Sequence, residues 1–141
     1  MSQKSIPFRI FKITNDPIEL QADLMHEQEA VAFSTEFSFN GNLEQGVIGC
    51  RSVYVFSQNE TVISSLTVYC YFEIEKDYLR ENEQGEAVTI NKDFLRYLAT
   101  ICVGTARGIQ HAKTQGTILN KWVIPPINLM EFDFQDFVLR L

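Results

Sequence analysis

The chain has 141 residues, with 12 Lys+Arg against 18 Asp+Glu, a net charge of −6, and 45% hydrophobic residues. The length fits one domain spanning residues 1–141, and the balance is that of a globular chain rather than a disordered or fibrous one. The acidity and the lack of a basic run exclude a general nucleic-acid binder, because phosphate contacts need a surplus of Lys and Arg on one face.

The start of the chain, Met1-Ser2-Gln3-Lys4-Ser5, leads straight into residues 6–13, which read as a strand. It lacks the form of a secretory signal, and no apolar run approaches the roughly 20 residues of a membrane-spanning helix. The expected setting is therefore the cytoplasm, without membrane insertion. In the first strand Phe8 and Ile10 face one way, while Arg9, Phe11 and Ile13 face the other. Asn15-Asp16-Pro17 is a turn signal, and Ile18 and Leu20 continue the strand beyond a kink.

Residues 31–39 alternate cleanly. Val31, Phe33, Thr35, Phe37 and Phe39 share one face, as expected of a half-buried antiparallel strand. Asn40-Gly41-Asn42 then reads as a tight turn. Residues 47–56 form the third strand, and 57–60 close it with a short polar turn. The fourth strand, 62–74, puts Leu66, Val68, Cys70, Phe72 and Ile74 on one face and Thr67, Tyr69, Tyr71 and Glu73 on the other. Two large aromatics on the nominal solvent side point to cover by another subunit or a ligand.

After a polar loop at 81–86, Asn91 reads as a helix N-cap with Asp93 in the first turn. Apolar residues recur at helical spacing over 92–113, and Gly116 ends the helix. Gly104 and Gly108 lie four apart on it, at a cost of roughly 1 kcal/mol each against alanine. They make sense where another backbone comes close, either the sheet of the same chain or a helix of a second subunit. Pro125-Pro126 holds 122–129 extended. Met130, Phe134, Phe137, Val138 and Leu141 then recur at steps that predict a short terminal helix. The expected fold class is α+β: a four-stranded antiparallel sheet, followed by a long helix and a short C-terminal helix packed on one face.

Motifs for catalysis are absent: there is no GxSxG elbow, Walker loop, GxGxxG or HExxH in the sequence. The glycine-spaced run 104–108 falls inside a helix rather than before one. Cys102 and His111 are nine residues apart on that helix, so they stand about 13 Å apart along its axis and cannot pair there. Cys50, Cys70 and Cys102 show no ligand spacing with each other or with His26 and His111, and read as reduced, buried, small apolar residues. The expectation is a protein without enzymatic activity, metal or cofactor.

The order of elements resembles the SecB export-chaperone family. The segments that carry the resemblance are the helix around Tyr97-Leu98-Ala99-Thr100-Ile101-Cys102-Val103-Gly104-Thr105-Ala106-Arg107-Gly108, the Gly116-Thr117 step, and Ile124-Pro125-Pro126-Ile127-Asn128-Leu129-Met130-Glu131-Phe132. The apolar spacing from Phe8 to Leu20 is also similar. The resemblance implies an ATP-independent holdase for unfolded or partly folded polypeptides. It also implies a homo-oligomer, dimer or tetramer, with Gly104 and Gly108 at helix contacts between subunits. Clients would lie in an apolar groove, for which Tyr69, Tyr71, Trp122, Met130, Phe132 and Phe134 are the candidates here. The family hands clients to a translocase motor through acidic positions on the sheet and a basic, zinc-linked tail. Gln21 stands where an acid would be expected and the chain ends at Leu141, so hand-over to that motor is doubtful. The alternative is an adaptor dedicated to one partner, such as an antitoxin.

Overall fold

The computed structural model describes residues 8–140. Residues 6 and 7 of the expected first strand, and Leu141 of the expected terminal helix, lie outside them. Strand β1 (Phe8–Asn15) and the short β2 (Glu19–Leu20) both pair with the same side of one strand, β5 (Thr61–Ile74). With β3 (Ala32–Asn42) and β4 (Val47–Gln58) the antiparallel sheet runs β1-β5-β4-β3, β2 extending the β1 edge. Consecutive hairpins join β3, β4 and β5, and the first strand returns beside the last, which is a Greek-key connection. The kink at Asn15-Asp16-Pro17 separates β1 from β2, as expected.

Local details decide which side chains reach which face. A bulge in β1 leaves Phe11 without a partner, so Lys12 opposes Tyr71 and Ile13 opposes Cys70. Phe8, Ile10 and Ile13 therefore share the inner face, whereas strict alternation puts Ile13 with Arg9 on the other. Asn40-Gly41-Asn42 is not a turn: β3 continues through it, opposite 47–49 of β4. The chain reverses at 43–46 instead, where Asn42 Oδ1 accepts from the Gln45 N–H at 3.2 Å and Gly46 takes φ +65. The β4–β5 hairpin closes through Asn59 and Glu60, with φ 47 and 67, the two left-handed residues of a tight hairpin turn.

Helix α1 (Lys76–Glu81) leads into a second sheet, formed by β6 (Glu83–Gln84), β7 (Ala87–Ile90) and β8 (Phe137–Arg140) in the order β6-β7-β8. The polar loop expected at 81–86 thus holds the end of α1 and a short hairpin strand. The terminal helix expected over 130–141 is also replaced: one 3₁₀ turn, Leu129–Glu131, precedes an extended run into β8. The stripe that suggested a helix is overruled by pairing. Val88 and Ile90 of β7 are buried and face a partner edge, and β8 meets it with half-buried Phe137 and Leu139 alternating with exposed Val138 and Arg140. Gly41 admits this strand, since a side chain there would meet both Cδ atoms of Leu139 at 2.8 Å.

Helix α2 (Lys92–Lys113) forms over the expected residues. Asn91 caps it by accepting from the Asp93 N–H at 2.7 Å, and Asp136 Oδ1 accepts from the Lys92 N–H at 2.8 Å. Leu95, Leu98, Ala99, Cys102, Val103 and Ala106 are buried against the sheet face made by Ile48, Cys50, Tyr54, Leu66, Val68, Cys70 and Phe72. Gly104 and Gly108 point away from that contact. Both are exposed, and a Cβ on either would meet nothing within 4 Å, so close approach to the sheet is not what they serve.

The cysteines, scattered in sequence, meet in this core. Cys50 and Cys70 oppose each other across β4 and β5, and Cys102 of α2 packs into the same buried cluster. All three are free and buried. The contact with the Cys102 thiol, and burial, hold Cys70 well above the ordinary thiol range; the contact with Cys50, and burial, do the same for Cys102. A thiol whose folded pKa is raised contributes stability in full below its unfolded pKa of about 8.5 and loses it as pH rises beyond. Denaturation at increasing pH is expected to show stability falling above about pH 8.5, with all three thiols unreactive to a disulfide reagent until the chain unfolds. Replacement of Cys70 and Cys102 together by Ala should remove that slope up to about pH 10, above which the buried Tyr54 phenol adds its own.

Candidate functional site

Beyond α2 the chain passes through a 3₁₀ turn, Ile118–Lys121, and then runs without regular structure over 122–128. Two prolines deny this segment both helix and a full set of amide donors. Its carbonyls are taken instead by side chains of α2. Gln110 Nε2 donates to Trp122 O at 2.6 Å. Arg107 donates twice, from Nε to Ile124 O at 2.7 Å and from its terminal nitrogen to Pro125 O at 2.9 Å. Arg96 Nε donates to Leu129 O at 3.1 Å. These residues share the flank of α2 that faces the segment and hold it as an extended strap. Ile124 and Leu129 pin it from below as buried side chains, while Val123, Pro126 and Asn128 stay exposed.

The strap then meets β3. Phe132 stands edge-on to Phe37 with ring centres 5.5 Å apart. Phe134 is buried against Phe37 and Phe39, both at 6.0 Å, and the Arg96 guanidinium lies 5.3 Å over its ring. Between strap and strand lies a groove of about 340 Å³, with Phe33, Ser34 and Thr35 on one wall and Pro125, Ile127 and Phe132 on the other. Among the described residues β3 pairs only with β4, so its outer edge presents unpaired backbone N–H and C=O groups beside this groove. Thr35 Oγ1, in the groove wall, and Trp122 Nε1, at the start of the strap, are buried without a hydrogen-bond partner among the described residues. Burial also pushes the Tyr54 phenol, stacked against Phe33, above its ordinary range.

The six aromatic and methionine candidates therefore separate into two groups. Trp122, Met130, Phe132 and Phe134 all belong to the strap. Phe134 is mostly core, Phe132 lines the groove, and Met130 is 73% exposed at the strap's outer end. Tyr69 and Tyr71 lie on the opposite face of the large sheet, which α2 does not cover. There Tyr69 donates from its hydroxyl to Asp16 Oδ2 at 3.1 Å, and Lys12 Nζ lies 5.4 Å from the centre of the Tyr71 ring. Phe33 and Thr35 line the groove and Phe37 packs behind Phe132, whereas the sequence marks the three only as the buried face of a strand. Their alternation marks an apolar face equally well whether a helix or a cleft lies over it.

The groove sets Phe33, Ile127 and Phe132 beside Ser34, Thr35, Asn128 and Glu131 and along a backbone edge, an elongated mixed lining that suits an extended chain better than a compact molecule. Among the described residues no group of three or more His, Cys, Asp and Glu is placed to hold a metal ion, and no helix is long and apolar enough to cross a membrane. No family model, curated protein or solved structure matches the chain.

Proposed function

We propose that this protein is an ATP-independent holdase that captures extended segments of unfolded polypeptide along β3. The observation that carries the reading is the groove between the β3 edge and the strap. A client strand laid there gains backbone hydrogen bonds from β3, and every second side chain enters the cleft between Phe33 and Phe132. Main-chain bonding is indifferent to sequence, and a cleft of mixed apolar and polar lining sets no single side-chain requirement, so one site serves many clients. The order of sheet, long helix and proline strap supports likeness to the SecB family at the level of architecture. A cytoplasmic setting accords with three free thiols.

Assembly into a homo-oligomer is part of the proposal. The inner face of β1 extends beyond α2, leaving Ile13 and Tyr97 about half exposed, at 49% and 50%. Gly104 and Gly108 open the neighbouring flank of α2, where nothing of the same chain stands within 4 Å of a Cβ. In the proposed oligomer a second helix lies against that flank. The dedicated-adaptor reading keeps the same groove but restricts it to one partner.

Native mass spectrometry of the protein, alone and with a reduced, unfolded test polypeptide, tests the reading. An oligomer that takes up the polypeptide, together with suppressed aggregation of unrelated unfolded proteins, is the expected result. An oligomer that ignores them while retaining one cellular partner would establish the adaptor instead.

A further inference from the structure

The face of the large sheet that α2 leaves uncovered carries a separate cleft. The strand registers set Lys12, Tyr71, Gly49 and Asn40 side by side across β1, β5, β4 and β3 on that face. Gly49 is required there: a side chain would collide with Asn40 Oδ1 and stand 3.2 Å from Tyr71 Cε1. Its absence lets the Asn40 amide and the Tyr71 ring close over a bare backbone floor. Phe11, the extra residue of the β1 bulge, and Gln45 of the 43–46 turn complete a cleft of about 310 Å³.

The charges around it are uneven. Arg9 is paired with Glu73 at 3.0 Å and Arg51 with Glu36 at 3.7 Å. Lys12 has no acidic partner among the described residues; its ammonium rests near the Tyr71 ring at 5.4 Å. The Lys12 ammonium in the wall of the cleft favours a negatively charged guest locally, against the chain's net charge of −6.

We infer that this cleft binds a small carboxylate with a flat or apolar body. Lys12 meets the carboxylate, the amides of Asn40 and Gln45 donate to its oxygens, and the rings of Tyr71 and Phe11 flank the body. A single lysine matches a monoanion, whereas a phosphate dianion calls for more than one cation. The two aromatic walls match an aryl or aliphatic group better than a sugar with hydroxyls on every side. The cleft lies on the sheet face opposite the β3 groove, so it stands independently of the holdase reading.

Titration of the isotope-labelled full chain with sodium benzoate, followed by amide chemical shifts, tests the inference. Saturable shifts are expected at Lys12, Asn40, Gly49 and Tyr71. Lys12→Gln is expected to weaken benzoate binding about tenfold, and Asn40→Ala to weaken it by a smaller factor. Both residues are exposed, so the unliganded spectra of the variants should keep the wild-type dispersion elsewhere. Inorganic phosphate and glucose, titrated over the same range, should not saturate these positions. Absence of a saturable shift with benzoate, equal affinity in Lys12→Gln, or equal binding of phosphate or glucose would each overturn it.

Discussion

Arg107→Ala is expected to lower stability by about 2–4 kcal/mol and to abolish capture of unfolded polypeptide. The guanidinium makes two hydrogen bonds to strap carbonyls, at 2.7 and 2.9 Å, and hydrogen bonds from a charged donor contribute roughly 1.5–3 kcal/mol each. The two are not additive, because a single side chain is ordered to make both. Alanine leaves the carbonyls of Ile124 and Pro125 without their donor and frees the strap from the middle of α2. The groove wall at Pro125 and Ile127 then moves with it. Arg107→Lys keeps the charge but loses the planar fork, so it should retain only part of both properties. Chemical denaturation and a polypeptide-capture assay on the three proteins check this. Wild-type capture by Arg107→Ala would remove the strap from the binding site.

Phe134→Ala is expected to cost about 3–4 kcal/mol, in the range of other buried Phe→Ala changes. Its ring touches Phe37, Phe39 and Phe132 and lies beneath Arg96, so its loss opens a void where the strap meets β3. The variant should melt roughly 10 °C lower, given a shift of a few degrees per kcal/mol for a chain of this size. Met130→Ala provides the contrast. An exposed side chain contributes within about 0.5 kcal/mol to stability, so Met130→Ala should melt like wild type while binding polypeptide less well. If both variants bound polypeptide normally, the strap would be structural only.

The elements of this fold differ in how far the sequence alone specifies them. α2 was legible to the residue, because a cap at Asn91, a helical repeat and a closing glycine all agree there. β3 was legible in its alternation but not in its length. Asn-Gly carries a strong turn preference, yet cross-strand pairing with 47–49 and the space needed by Leu139 held that glycine in a strand. The terminal strand reads as a helix because Phe134, Phe137 and Val138 fall at helical steps, while the alternation of Phe137 and Leu139 is short, and only β7, some fifty residues earlier, decides between them. The β1 bulge was equally invisible: one unpaired residue exchanges the faces of all that follow.

The site was legible by half. Paired prolines announced an extended strap, and its aromatics were picked out. That Arg96, Arg107 and Gln110 would anchor it was not, since a long polar side chain on a helix looks the same whether it faces water or a carbonyl. The cysteines make the same point: spacings of 20 and 32 carry no signal, and the register of β4 on β5 with α2 across them brings the thiols together.

Among the described residues the outer edge of β3 is unpaired over 11 residues, or about 36 Å at the rise of an antiparallel strand. The cleft beside it reaches only the Phe33–Thr35 end. A captured chain would therefore be gripped firmly at one or two side chains and loosely along the rest, which makes for fast release from any single subunit. Strong retention would have to come from avidity. In the proposed oligomer a long unfolded chain held by one subunit would meet the next at an effective concentration in the millimolar range, so modest affinities would multiply. A folded protein cannot thread several edges at once and would slip away, so discrimination between folded and unfolded chains would arise from counting contacts rather than from any one of them.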